Sequence, residues 1–314
     1  MALWDNIQGK WKLANAVWTD DSANGYTLVA GDYEPVATAG HNGGASLGTY
    51  FANPGGLKAL KITDASAPNL DITGNITFSA WIKLSTTANY MMMVSKLGAS
   101  GNYSYEFGMH SNWTLRCNLS SNGTALTSAY AATVLLAGVW YHVAAVYNGT
   151  DIRLYVNGVL DSNGANNPKA YTGGIYNSTA DFYAGKRTPS SYYFVGDMDD
   201  LAVWNRALSA DEIRELYYLG DDYAVTPKVT GIIKDSAGTA INCSTYNVRV
   251  NAYPKNNTSS APTKTALITA TDGSWFLGNL VASTKYIVAF EYEGNYAVLN
   301  DWDIAGAEFM TAAL

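Results

Sequence analysis

The sequence predicts an all-β protein made of two successive β-sandwiches, with one short helix near 209–219. Three observations carry that expectation. Charged residues are only 14% of the 314, against roughly 25% in an ordinary soluble domain, while Gly (29) and Tyr (23), residues of turns and strands, abound. Apolar residues make up 48%, enough for a sizeable core, and they alternate at period two in short segments parted by Gly, Asn and Ser clusters. The pattern breaks at Asp221-Asp222-Tyr223-Ala224-Val225-Thr226-Pro227. This divides the chain into a domain at 1–222, a linker at 223–227, a small sandwich at 228–304 and a tail at 305–314.

The elements follow in order. The first ten residues hold neither a basic n-region nor an apolar h-region, so a secretory leader is expected to be either absent or already removed. In Thr77–Leu84, Phe78, Ala80, Ile82 and Leu84 share one strand face. Met91-Met92-Met93 reads as a strand filling gaps in the core. The apolar stretch from Tyr130 to Tyr147 approaches membrane-spanning length, but Gly138 and His142 interrupt it, so two buried strands around a turn are expected there. Ile152, Leu154 and Val156 alternate and run into Asn157-Gly158, the strongest short hairpin signal, because both residues tolerate positive φ. One helix stands out: Ser209 and Glu212 form a capping box, and Ile213, Leu216 and Tyr217 supply its apolar stripe. Beyond the linker come a strand at Val229–Lys234, a turn at 235–238 and alternating Val248, Val250 and Ala252. A polar loop at Asn256–Pro262 follows, then a hairpin from Ala266 to Leu277 turning at Asp272-Gly273, and a strand at Tyr286–Tyr292.

Several function classes drop out. The formal charge is −7 with no run of Lys or Arg, which disfavours nucleic acid as a partner. Cys117 and Cys243 fall in different domains and read as unpaired buried thiols. No Glu-x-Asp-x-Glu pattern of a retaining glycosidase is present. The pairs Asp20/Asp21, Asp199/Asp200 and Asp221/Asp222 are adjacent, so on a strand their side chains point to opposite faces. His41, His110 and His142 are scattered, and no Ser/His/Asp set is recognisable. The chain is therefore read as a non-enzyme.

Residues 1–220 resemble the laminin-G/pentraxin-like group of concanavalin A-type jelly rolls. The resemblance rests on Ile76-Thr77-Phe78-Ser79-Ala80-Trp81-Ile82-Lys83, on Gly138-Val139-Trp140-Tyr141-His142-Val143 through Tyr147, on Leu154-Tyr155-Val156-Asn157-Gly158, and on the closing Gly196-Asp197-Met198-Asp199-Asp200-Leu201 through Ser209. Residues 228–304 are similar to carboxypeptidase-regulatory-like, transthyretin-type Ig sandwiches through Gly231–Gly238, Thr271–Phe276 and Tyr286–Phe290. The two modules in this order look like a bacteriophage virion surface protein.

The resemblance implies sites and partners. Jelly rolls of this type often join an early and a late segment around Ca²⁺, which makes Asp20, Asp21 and Asn24 with Asp199 and Asp200 the candidate calcium ligands, oxygen donors suited to a hard ion. Glycan binding needs aromatic faces, and Tyr90, Tyr103, Tyr105, Trp113, Tyr192 and Tyr193 lie in segments read as loops. The expected role is a noncatalytic capsid-decoration or tail-associated protein at the virion surface. Its expected partners are other virion proteins, further copies of itself and cell-surface glycans, with no membrane span. The alternative is a carbohydrate-binding module of a secreted bacterial surface protein.

Overall fold

The computed structural model describes residues 3–13, 18–31, 34–41, 48–51, 58–86, 90–188 and 192–219, and seven strands between 228 and 313. The chain divides into two compact units, Met1–Gly220 and Asp221–Leu314.

The first unit is a jelly-roll sandwich of two antiparallel sheets. One sheet runs Val159–Leu160, Asp151–Val156, Trp140–Tyr147, Ile76–Leu84, Gly196–Trp204, Gly48–Phe51, Val36–Thr38, with Ile7–Trp11 also paired to Gly196–Trp204 and Lys169–Ala170 to Asp151–Val156. The other runs Thr127–Tyr130, Leu115–Leu119, Tyr103–Met109, Met91–Leu97, Phe182–Ala184, Leu60–Ile62, Val29–Ala30. Period-two alternation decides what lies between them. Phe78, Ala80, Ile82 and Leu84 face Tyr105, Phe107 and Met109 in one buried cluster, with Phe78 5.2 Å from Tyr105 and 6.1 Å from Phe107. Trp11 stacks on Phe182 at 5.5 Å. Cys117 lies unpaired in this core, where burial pushes its thiol pKa up, as expected of a packing residue. Cys243 lies outside the described residues.

The local signals appear as turns and caps. Asn157 and Gly158 both take positive φ, 49° and 79°, and join Asp151–Val156 to Val159–Leu160. Helix Ala210–Leu219 begins with the reciprocal box: the Glu212 N–H donates to Ser209 Oγ at 3.2 Å, and the Ser209 N–H to Glu212 Oε2 at 2.8 Å. Arg206 reinforces it with a bidentate pair to Glu212 at 2.7 and 3.0 Å. Gly158 packs against this helix, since a Cβ there would sit 3.1 Å from Tyr217. Met91–Leu97 is a buried strand, as its methionines suggested.

Two local expectations are corrected. Within the 130–147 stretch, Tyr130 ends the strand Thr127–Tyr130 and Trp140–Tyr147 forms the next; 131–139 between them is a loop, not strand, in which Leu135 is buried while Val134 and Leu136 are exposed. Its run of apolar residues reflects one anchoring leucine with apolar neighbours, and no described helix is long and apolar enough to cross a membrane. In the second unit the two strands expected to form one hairpin do not pair with each other among the described residues. Lys264–Leu267 pairs with Arg249–Pro254, whereas Ser274–Leu277 pairs with Lys228–Lys234, so the two segments belong to different sheets. A turn signal specifies a reversal of the chain, and a reversal can carry it to the facing sheet as well as back along its own.

The second unit otherwise shows sheets of three and four strands. Lys228–Lys234 lies between Ser274–Leu277 and Ala307–Ala313, the latter in parallel; the other sheet runs Lys264–Leu267, Arg249–Pro254, Lys285–Tyr292, Asn295–Asp303. The expected tail therefore contains a strand, which satisfies the backbone groups along the otherwise open edge of 228–234. The linker at 223–227, the turn at 235–238, the 256–262 loop and Asp272-Gly273 lie outside the described residues.

Candidate functional site

The outer face of the Met91–Leu97 sheet carries an unusual set of side chains. Leu115, Cys117 and Leu119 point into the core, so alternation turns Arg116 and Asn118 outward, and on the neighbouring strand Glu106 and Gly108 face the same way. Register then places Tyr130, Arg116, Gly108 and Met92 in one row across four strands. Gly108 is required there, because a Cβ would approach the Met91 carbonyl oxygen to 2.3 Å and Met92 Sδ to 2.9 Å. In the next row Glu106 faces Asn118; Glu106 is fully buried and Asn118 2% exposed.

These groups form a charged floor. Arg116 Nη2 donates to Glu106 Oε1 at 2.6 Å, the Asn118 amide donates to the same oxygen, and Arg187 Nε pairs with Glu106 Oε2 at 3.3 Å. Above it lie half-buried rings. Tyr90 and Tyr192 have centroids 5.1 Å apart, His110 meets Tyr90 edge-on at 5.1 Å, and Tyr130 meets His110 edge-on at 5.0 Å. Arg116 sits over Tyr90 at 4.8 Å and Arg187 over Tyr192 at 5.6 Å. The result, the aromatic cleft, is a half-buried cluster of aromatic rings, with phenol hydroxyls and an imidazole among them, over largely buried guanidiniums.

Of the aromatic residues singled out in the sequence, the structure brings together Tyr90 and Tyr192. Trp113 is 36% exposed at the tip of the His110–Thr114 turn, with φ 65°, beside the His110 end of the cleft. Tyr193 packs against Lys186 at 5.2 Å, and Tyr103 lies at a strand end opposite Leu97. Tyr105 was expected in a loop and is instead fully buried, its hydroxyl donating to the Leu70 carbonyl at 2.9 Å, because it shares the inward face with Phe107 and Met109. Glu106, Arg116, Asn118, Tyr130 and Arg187 were not singled out in the sequence as site residues, and His110 stood out there only as one of three scattered histidines. Charge on alternate positions of buried strands in so lightly charged a chain was the available signal.

The candidate calcium ligands separate into two places. Asp20 organises its own loop: Oδ1 accepts from the Lys10 and Ser22 N–H groups, both at 2.8 Å, and Oδ2 from Ser22 Oγ at 2.6 Å and the Tyr26 N–H at 2.9 Å. Asn24 donates to the Gln8 carbonyl at 3.0 Å and accepts from Asn69, while Asp21 pairs with Lys12 at 3.9 Å. Asp199 and Asp200 instead meet His41, and ligand atoms of these three residues lie within 4.8 Å of one another. The His41 N–H and Nδ1 reach Asp199 Oδ2 at 3.1 and 2.9 Å, and the His41 ring stacks on Trp81 at 4.3 Å. The expectation that adjacent aspartates face opposite ways fails at this pair. Register shifts between Asp199 and Ala202, and Asp200 takes φ 50°, so a bulge turns both carboxylates toward the His41 loop. One imidazole nitrogen with two carboxylates is a mixed donor set, unlike the all-oxygen set expected for Ca²⁺.

Beneath the helix, His142 is 1% exposed and bonded to Ser79 at 2.9 Å. Burial, with His41 nearby, lowers its pKa from 6.5 to about 3. It is thus neutral when folded, whereas the unfolded chain takes up its proton below about pH 6.5. Its contribution to stability is constant above that pH and falls by up to about 1.4 kcal/mol per unit as pH drops toward 3. Melting temperatures of wild type and His142→Gln between pH 7 and 4 check this: the variant's curve is expected to be flatter, and parallel curves would refute the assignment. The cavity lined by Ser79, Trp81, His142 and Asp200 measures about 20 Å³, room for a water but not a sugar. A depression of about 320 Å³ lined by Gln8, Asn69, Asp71, Thr73 and Asn75 offers polar groups without an aromatic face.

Comparison with known proteins agrees with this architecture. The chain is similar to domain 4 of an extracellular arabinanase from Geobacillus stearothermophilus, solved in complex with arabinotriose: TM-score 0.51, 15% identity, 68% of this chain and 98% of that one. The binding domain of botulinum neurotoxin serotype D/C matches with TM-score 0.53 and 12% identity over 95% of this chain and 74% of the other. A botulinum neurotoxin type C structure concerned with interaction with two ganglioside molecules matches at 0.52 and 13%, over 94% and 72%. At these identities the likeness is one of fold. No curated protein matches by sequence. The family profile Laminin G 3 matches residues 55–214, just over half of the chain and the span that contains nearly all of the cleft and its supporting strands. On that match, the chain belongs to the concanavalin A-like lectin/glucanases superfamily.

Proposed function

We propose that the first unit is a noncatalytic glycan-binding module whose ligand lies across Tyr90 and Tyr192. The observation that carries this reading is the ring cluster: half-buried aromatic rings at about 5 Å spacing over a polar floor, a combination suited to stacking on sugar CH faces and bonding to hydroxyls. The neighbours support it in kind, since one was solved with arabinotriose and another concerns gangliosides. A binding rather than hydrolytic role fits Glu106, whose carboxylate is held by two guanidiniums and an amide and is thereby spent on structure.

A glycan array followed by calorimetric titration tests the proposal. Tyr90→Ala and Tyr192→Ala are each expected to weaken binding about tenfold or more while the melting temperature stays within a few degrees. Binding untouched by both substitutions refutes the cleft. We read the second unit as an Ig-like spacer, supported by its sheets of three and four strands. The setting suggested by module order is a virion surface, with a bacterial cell surface as the alternative; immunolabelling of purified particles separates them.

A further inference from the structure

We infer that the Tyr90–Tyr192 cleft selects acidic saccharides, with the ligand's anionic group held by the Arg116–Arg187 pair. The inference rests on the glycan-binding reading and adds the chemical class of the ligand.

The charges in the floor do not balance. One buried carboxylate, Glu106, serves two guanidiniums, Arg116 and Arg187, so the ion pairs among the described residues leave the cluster with one positive charge in excess. This occurs in a chain whose net charge is −7, so it is a local arrangement and not the average of the surface. Burying such an excess is unfavourable unless an anion joins it.

The donors are also incompletely used. Arg116, with its side chain 9% exposed, has a buried Nε that makes no hydrogen bond, and the buried Nε of Arg187 faces Glu106 as an ion pair without hydrogen-bond geometry. Such buried donors carry a desolvation cost, so the cluster's excess charge is not offset by a full set of hydrogen bonds within the protein. Arg187 is the more exposed of the two, at 16%, and is the natural first contact.

Stacking keeps both guanidiniums in place. Each lies over one ring of the tyrosine pair, at 4.8 and 5.6 Å, so the planar donor forks are oriented before any ligand arrives. A planar fork beside an aromatic face is suited to a sugar that carries an anion on one edge and CH groups on its face. A neutral sugar can use the rings but leaves the excess charge unanswered.

The test compares each acid with a matched neutral ligand, so that every ratio is measured on a single folded sample. Trigalacturonic acid is titrated against its methyl ester, and sialyllactose against lactose. The expected result is that at least one acid binds about tenfold more tightly than its partner at low salt, that the preference shrinks as salt rises, and that it falls toward unity in Arg187→Gln. Which pair shows the preference tells a uronate from a sialate. Arg187→Lys keeps the charge without the fork and serves as a second variant should Arg187→Gln fold poorly; it is expected to lose most of the preference. Neutral sugars binding through Tyr90 with no preference in either pair would overturn this inference and leave the glycan reading standing. An unchanged preference in both arginine variants would likewise overturn it. Failure of every saccharide to bind would remove both.

Discussion

Replacing Glu106 with leucine is expected to lower the stability of the first unit by about 3–5 kcal/mol, the usual cost of removing one member of a buried charge cluster. Glu106 is fully buried and accepts from Arg116 and Asn118 while pairing with Arg187. Without it two guanidiniums stand over the sheet with no counter-charge, and the Asn118 amide loses its acceptor. For a unit of this size each kcal/mol moves the melting point by about 2–4 °C, so a fall of about 6–20 °C should be seen by calorimetry. Adding Arg116→Met to Glu106→Leu should recover part of the loss, because the double variant removes a charge along with its partner. A Glu106→Leu protein that melts within 2–3 °C of wild type would show that the floor is solvated and contributes little. The tyrosines lie over the arginines, so the same substitution is expected to loosen the Tyr90–Tyr192 pair and weaken glycan binding.

Lys96→Met is expected to cost a similar amount, about 3–5 kcal/mol, for a related reason elsewhere in the sandwich. The Lys96 side chain is 1% exposed; its ammonium bonds to Asp64, pairs with Asp71 at 2.9 Å, and donates to the Ser178 and Ala180 carbonyls at 2.9 and 2.8 Å. One cation therefore ties the turns at Asp64–Ser66 and Pro68–Leu70 and the segment before Phe182–Ala184 to the strand Met91–Leu97. Methionine nearly fills the volume, so packing is little changed and the loss reports the uncompensated carboxylates and carbonyls. Denaturant melts measure it. Adding Asp64→Asn to Lys96→Met should recover part of the stability, and strict additivity of the two changes would contradict a shared cluster.

Much of the fold was legible because its signals are short in range. Phe78, Ala80, Ile82 and Leu84 share a face whatever they pack against; Asn157-Gly158 can reverse the chain without distant help; Ser209 and Glu212 cap the helix across three residues. The errors arose where a local signal had more than one tertiary outcome. Tyr105 satisfies a strand and a loop pattern alike, and only its pairing beside Phe107 in the sandwich sends it to the core. Asp272-Gly273 suggested a hairpin, yet the flanking strands joined different partners. Asp20, singled out for its oxygens, accepts from three backbone N–H groups and the Ser22 hydroxyl, partners that its own sequence neighbourhood did not name.

The candidate cleft was only partly legible. Tyr90 and Tyr192 stood out as aromatics near turns, and they do meet, 102 positions apart in the chain. Of their partners, Arg187 lies opposite Tyr192 in the same short hairpin, whereas Glu106 and Arg116 come from two further strands. No spacing in the chain relates the Arg187–Tyr192 hairpin to Tyr90 or to Glu106 and Arg116, because that neighbourhood is set by strand register and by the search of each buried charge for a counter-charge.

By itself, then, the sequence determined an all-β chain in two units, the strand faces that form the core, the helix with its cap, and the family to which the first unit belongs. These depend on contacts within a few residues, or on the alternation that any half-buried strand imposes. Tertiary structure alone decided that a bulge turns Asp199 and Asp200 together toward His41, and that two arginines share one buried glutamate beneath two tyrosines. Those outcomes follow from register across strands and from the cost of burying charge, neither of which a single segment can express.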